Sequence, residues 1–267
     1  MATIRVNEAE LFYEDSGHGE ETIVFSHGCL MTHEMYRAQI DALKDRYRCI
    51  AYDHRGHGKS RALNDQYSME DIYHDGEALI AALDCGPCHF VGMSTGGFVG
   101  LRLGFRRSDL LKSLILIDTS TEGEGGKRLR EYNVMLFVLR TLGYGPVLFR
   151  AFAKLFGAKF LNDPARRDEV ELWKEIVQKH DRHAIYKFGK GIFYRDVVVA
   201  QLAQITTPTV VLIGENDIAT PIQYSEQIVA AIPDATLHKI PNSGHTSPVE
   251  APTAVFEIME DFLANLE

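Results

Sequence analysis

Little in this 267-residue chain points to covalent or membrane-based stabilisation, since it holds only four cysteines and one tryptophan. Basic residues are in the minority, 28 Lys and Arg against 37 Asp and Glu, for a formal net charge of −9 and a sequence pI of about 5.7. That balance argues against a nucleic-acid partner, which would require a basic face. No uninterrupted apolar run reaches about 18 residues, so no membrane span is expected. The opening Met-Ala-Thr-Ile-Arg-Val-Asn-Glu has no apolar stretch of the secretory kind, and the expected address is the cytoplasm. A chain of this length can bury roughly three quarters of its unfolded surface without disulfide or metal staples. One α/β domain with an insertion fits it better than two independent domains, because such folds often run to about 250 residues.

The scarce cysteines are Cys29, Cys49, Cys85 and Cys88, and the last two fall in Cys85-Gly-Pro-Cys88-His89. This matches both a C-x-x-C redox pair and a C-x-x-C-H haem attachment. Position argues against both. A redox pair opens a helix after a strand, whereas this one closes the helix expected over Met69–Leu83. Gly86-Pro87 reads as a turn, leaving at most an adventitious disulfide under oxidation.

What is present is more telling. Gly92-Met-Ser-Thr-Gly96 follows the short apolar run His89–Val91 and precedes a helical pattern from Phe98 to Arg107. Strand, sharp turn and helix are the setting of a G-x-S-x-G nucleophile elbow. The turn strains the serine backbone and projects its hydroxyl, while Gly92 and Gly96 let strand and helix pass closely. Ser94 then needs a base and an orienting carboxylate. Pro208–Gly214 reads as a buried strand that empties into Glu215-Asn216-Asp217, and Ala235–Ile240 as another that leads through Pro241–Gly244 to His245. Both partners lie on loops past strand ends, where open α/β sheets keep their sites. Asp118, which also ends a strand, is the rival for the acid.

With Ser26-His-Gly28, Tyr52-Asp-His-Arg-Gly-His-Gly-Lys-Ser60 and Gly244-His-Thr-Ser-Pro-Val-Glu-Ala-Pro252 in the same order and spacing, the chain resembles the α/β-hydrolase superfamily along nearly its whole length. The resemblance implies an α/β-hydrolase fold: a mostly parallel, eight-stranded sheet covered by helices on both faces, with a helical cap. It implies Ser94, Asp217 and His245 as catalytic triad, and backbone N–H groups of Cys29 and Thr95 as oxyanion hole. Neither cofactor nor metal is implied. Residues 1–121 and 195–267 would form the core and 122–194 the cap.

The coarse pattern agrees with that division. Edge strands are expected at Thr3–Val6 and Leu11–Asp15, then a strand at Thr22–Phe25, a helix at Glu34–Leu43, strands at Arg48–Tyr52 and Leu111–Ile117, and helices near 222–231 and 250–264. The alternation breaks after Glu122-Gly-Glu-Gly-Gly126. Large apolar residues follow at helical spacing, among them Met135, Leu136, Leu139, Val147, Phe152 and Trp173. Most should hold helices together and the rest should line an apolar pocket over Ser94. His27, His54 and His57 read as structural, and His180-Asp-Arg-His183 as solvated despite its metal-like spacing.

The expected activity is serine-based hydrolysis of a carboxylic ester with a short to medium apolar group, through an acyl-enzyme. Lactones, C–C bonds and perhydrolysis are alternatives on the same triad, as is a slow-turnover ligand sensor. Serine at position 94 disfavours the dehalogenase-like and epoxide-hydrolase-like chemistries that resemblance associates with aspartate there. The expected partner is a small apolar ester-like molecule, with the protein a monomer or homodimer and nothing in view to select a charged head group.

Overall fold

The computed structural model describes residues 1–266, so Glu267, the last residue of the expected core segment, lies outside them. Strands β1 (Ala2–Val6) and β2 (Ala9–Asp15) form a hairpin, followed by β3 (Glu21–Ser26). A 3-10 turn at His33–Tyr36 leads into α1 (Arg37–Leu43), then β4 (Tyr47–Tyr52), the two-residue β5 (Arg61–Ala62), α2 (Met69–Ala82), β6 (Cys88–Met93), α3 (Thr95–Arg106) and β7 (Leu111–Ile117). The chain then leaves the sheet for α4 (Gly126–Leu142), α5 (Gly145–Leu155), α6 (Ala158–Asn162), α7 (Arg167–Lys179) and α8 (Arg182–Phe193). It returns through β8 (Thr209–Gly214), α9 (Ile222–Ala231), β9 (Thr236–Ile240), α10 (Ser247–Glu250) and α11 (Pro252–Ala264).

Eight strands lie in the order β1-β2-β4-β3-β6-β7-β8-β9, parallel from β4 onward and antiparallel across β1, β2 and β4. The short β5 pairs with β2 as a ninth. Only β1 of the first hairpin is an edge: β2, expected at the edge, pairs on both sides and fully buries Ala9 and Leu11. The helix expected over Glu34–Leu43 starts as a tighter 3-10 turn. That expected near 250–264 is split, because Pro252 pushes Ala251 out of the helical region, to φ −136 and ψ 59.

Alternation along the strands builds the two faces. Val24, Phe90, Leu114 and Val211 face α2, α3 and α9, while Ile23, Val91, Ile115 and Val210 face α1 and α11. Local signals set the helix starts. Ser68 caps α2 by accepting the Asp71 N–H at 3.2 Å, and Asp71 accepts the Ser68 N–H at 2.8 Å, a reciprocal capping box. The loop after β4 is anchored by a buried two-pronged ion pair, Arg55 Nε to Asp75 Oδ2 at 2.6 Å and Nη2 to Oδ1 at 2.7 Å. No helix among the described residues is long and apolar enough to cross a membrane.

Near the site, backbone meets backbone where α3 crosses β3. A Cβ on Gly96 would sit 1.9 Å from the Ser26 carbonyl oxygen, and one on Gly92 would sit 2.3 Å from that of Gly96. Backbone cannot yield there as a side chain could. Gly96→Ala should therefore lower stability by about 1–3 kcal/mol in urea unfolding, the usual range for overpacking. A change within about 0.5 kcal/mol, the range of a neutral surface substitution, would show that strand and helix are not locked together.

Candidate active site

Ser94 sits between β6 and α3 at φ 51 and ψ −110, a region that non-glycine residues avoid. Its neighbours hold it there. The Ser94 N–H donates to the Ile117 carbonyl at 2.9 Å, the Thr119 hydroxyl donates to the Ser94 carbonyl at 2.8 Å, and the Gly96 N–H donates to the His27 carbonyl at 3.1 Å. The strand order puts the β3 loop on one side of Ser94 and the β8 and β9 loops on the other. Neighbouring strands lie about 4.8 Å apart, so side chains from β8 and β9 must reach back roughly 10–15 Å. The loops supply that reach. The Glu215 N–H donates to Ile240 O at 3.0 Å and the Asn216 N–H to Ser243 O at 2.8 Å, stitching the two together.

The result is a continuous hydrogen-bonded line. Ser94 Oγ lies 3.0 Å from His245 Nε2, and His245 Nδ1 lies 2.8 Å from Asp217 Oδ2. Asp217 also accepts the Ala219 and Thr220 N–H groups at 2.7 and 2.9 Å and the Thr220 hydroxyl at 2.7 Å. Burial alone would raise the Asp217 carboxyl, but the His245 charge and these donors outweigh it and hold it low. Burial alone would lower His245, yet Asp217 keeps it above its ordinary value of 6.5. Asp118 is elsewhere engaged: its oxygens accept the Gly214 N–H at 2.7 Å and the Ser247 N–H at 3.1 Å. Burial and the Asp217 charge push its carboxyl well above the usual range. Of the two, Asp217, the expected acid, faces the imidazole, and its rival Asp118 does not.

Two supporting residues carried no signal of their own. Thr220 follows Asp217 by one turn and fixes its carboxylate. Glu250, inside a recognised motif but without an expected role, accepts the Gly157, Gly244 and Thr246 N–H groups at 2.9, 3.0 and 3.1 Å. It thus pins the His245 loop to the turn between α5 and α6.

Cys29 lines the same cavity as Ser94, Thr95 follows that serine directly, and neither N–H donates to a backbone acceptor among the described residues. Thr95 opens α3, where free N–H groups and the helix dipole favour negative charge. The Cys29 thiol is a bystander, pushed up to about 12 by burial. Burial likewise raises Cys85, to about 11, and Cys88, whereas the reactive thiol of a redox pair is held low. His27, His54 and His57 are fully buried in backbone-bracing positions, as expected. His180 differs from its expected solvated state. It is 6% exposed with both ring nitrogens engaged, while His183 is exposed.

Above Ser94 and His245 lies a cavity of about 130 Å³, lined from the helical insertion by Met135, Leu136, Leu139, Val147, Leu148 and Leu155. Phe152, Phe156, Phe160 and Trp173 join the core instead, and Leu142 and Phe149 are exposed. Charge is not wholly absent, since Glu124, Lys154 and Arg195 also reach the lining. The first two are paired internally, with Arg128 at 2.9 Å and Glu131 at 3.5 Å respectively.

Comparison with known proteins identifies the family to which this fold belongs. A family profile described as alpha/beta hydrolase fold matches residues 21–252. A Stutzerimonas stutzeri protein named "Putative carbamate hydrolase RutD" is 30% identical over 266 residues, covering 95% of this chain and 97% of that one. Among solved structures, the enol-lactonase of Burkholderia xenovorans LB400 superposes with a TM-score of 0.91 at 24% identity, covering 98% of this chain and 100% of that one. A thermophilic esterase from Thermogutta terrifontis gives 0.90 at 24% identity, covering 100% and 99%. At such identities the two structures speak for the fold alone. With sheet, elbow and sequence profile in agreement over most of its length, the chain belongs to the alpha/beta hydrolase fold family and is a hydrolase.

Proposed function

We propose that this protein is a serine hydrolase that cleaves small carboxylic esters through an acyl-enzyme. The observation carrying this reading is the line Asp217–His245–Ser94 ending at the mouth of a largely apolar cavity. In the mechanism, His245 Nε2 takes the Ser94 proton as Oγ attacks the ester carbonyl. Asp217 holds the proton on Nδ1 and stabilises the imidazolium. The Cys29 and Thr95 N–H groups receive the oxyanion, already oriented and with no partner to give up. His245 then protonates the departing alkoxide, the alcohol leaves, and a water deprotonated by His245 releases the acid. The helices over 122–194 act as the cap, excluding solvent and shaping the acyl site.

Cavity size favours short groups. About 130 Å³ is close to the engineered cavity of roughly 150 Å³ that admits benzene, enough for a small ring or a chain of a few carbons. p-Nitrophenyl butyrate and acetate should thus be turned over faster than the octanoate, with Ser94→Ala abolishing all three. Equal turnover by Ser94→Ala would remove the nucleophile from the reading. Negligible wild-type turnover beside a ligand-dependent rise in melting temperature would favour a sensor. Lactones are the second reading, supported by an apolar cavity close in volume to one that admits a small ring. A paired panel of γ- and δ-lactones against open-chain esters separates the two.

The two aspartates differ in expected effect. Asp217→Asn should lower kcat by about 10⁴, the scale seen when a triad aspartate no longer fixes the imidazole tautomer. Asp118→Asn keeps an oxygen for one backbone donor and should act mainly on stability. The reverse order would reassign the acid. Since only neutral His245 can accept the serine proton, kcat/KM should rise with pH through a midpoint above 6.5. A midpoint below 6.5 would mean that Asp217 does not stabilise the imidazolium.

A further inference from the structure

His180 closes the C-terminal end of α7, inside the helical insertion, yet its ring is plugged into the core. Nδ1 accepts the Gly58 N–H at 3.0 Å, which leaves the proton on Nε2, 3.0 Å from the Leu30 carbonyl to which it donates. From the other side, His57 Nε2 accepts the Leu30 N–H at 3.1 Å. Both polar groups of Leu30 are therefore held by imidazoles whose centroids are 5.1 Å apart. Behind them, the Tyr144 hydroxyl donates to the His180 carbonyl at 3.2 Å. Burial disfavours the charged form of His180, consistent with a ring that must accept at Nδ1, where a second proton would oppose the Gly58 N–H.

Leu30 requires such holding. Its φ is 68, a left-handed conformation costly for a branched side chain. It directly follows Cys29, and the Leu30 N–H belongs to the peptide plane that begins at the Cys29 carbonyl. Turning that plane turns the neighbouring peptide, whose N–H is the oxyanion donor in the function proposed above.

We propose that His180 is a positioning residue: by fixing Leu30 in its left-handed conformation, it holds the Cys29 N–H aimed at the oxyanion, so that seating of the helical insertion and formation of the oxyanion hole are one event. This rests on the hydrolase reading of Ser94. A mere anchor for the insertion would affect stability and substrate affinity. A positioning residue affects the tetrahedral state and leaves ground-state binding alone.

The test compares wild type, His180→Ala, His180→Asn and His180→Gln on p-nitrophenyl butyrate, together with inhibition by butylboronic acid, which forms a tetrahedral adduct on the serine. Wild-type turnover that requires Ser94 comes first, and its failure sinks the function and not specifically the clamp. Given that turnover, His180→Ala should lower kcat by about ten- to a hundredfold, less than deleting a whole oxyanion donor, with KM within about twofold. Boronate affinity should fall by the same factor as kcat. His180→Gln, whose amide offers one acceptor and one donor, should recover most of the loss. His180→Asn, too short to reach Leu30, should not, and it serves as the probe if the alanine variant melts below assay temperature. Unchanged kcat in both His180→Ala and His180→Asn, or a loss confined to KM with boronate affinity intact, would overturn the proposal.

Discussion

The strained backbone at Ser94 is the constraint around which the rest of the molecule is arranged. A residue at φ 51 and ψ −110 stays there only if every neighbouring peptide opposes its relaxation. Here the opposition comes from Ile117, Thr119 and His27, on both flanking strands' loops, and from a contact between α3 and β3 that admits no side chain at Gly96. The parallel sheet supplies that rigidity. Its centre is β3, β6 and β7, whose residues near the site are almost completely buried. Small displacements of the hydroxyl would be felt directly in the 3.0 Å contact with His245.

Around that fixed point the loops do different jobs. The β8 and β9 loops reach across neighbouring strands and hold each other through backbone bonds, with Glu250 satisfying several otherwise unpaired N–H groups. The β3 loop has a shorter distance to cover but a harder conformation to keep. Histidines solve this because a neutral imidazole both accepts and donates, so one ring can bridge two backbone groups. His27, for example, lies 2.7 Å from the Gly28 carbonyl through Nδ1 and accepts the His54 N–H at 2.9 Å through Nε2. Packed imidazoles thus act as structural connectors, and mutual burial keeps them uncharged.

What could be read from the sequence follows from how local each signal is. Ser94 was legible because the elbow is a contiguous stretch, and the two small residues it needs are in the motif itself. Asp217 and His245 were legible as residues just beyond apolar strands. Asp217 was favoured over Asp118 by its Gly-Glu-Asn-Asp setting, although both aspartates end strands. His180 was misread. Its neighbours Lys179, Asp181 and Arg182 are polar and exposed, so composition pointed to solvent, while the ring enters a niche formed by residues over a hundred positions earlier. The apolar residues of the insertion were visible as a set, but their division between pocket, core and surface depends on the tilt of helices that periodicity does not encode.

Arg195 shows the same limit from the side of charge. The sequence offered no reason to expect a buried cation beside an apolar site, yet burial is deep enough to pull this guanidinium down to about 9. It stays because neutral acceptors take part of the charge: it donates to Ile192 O at 2.7 Å, to Ser120 Oγ at 2.6 Å and to the Glu122 carbonyl. Its guanidinium also lies 3.5 Å from the ring centre of Phe98, one turn beyond the nucleophile. Glu122 is where the chain departs into the helical insertion and Ile192 is where it returns. One cation therefore ties both roots of the insertion to the helix that begins at Ser94. An ion pair there would hold one root to one carboxylate; a guanidinium with dispersed carbonyl partners can hold both.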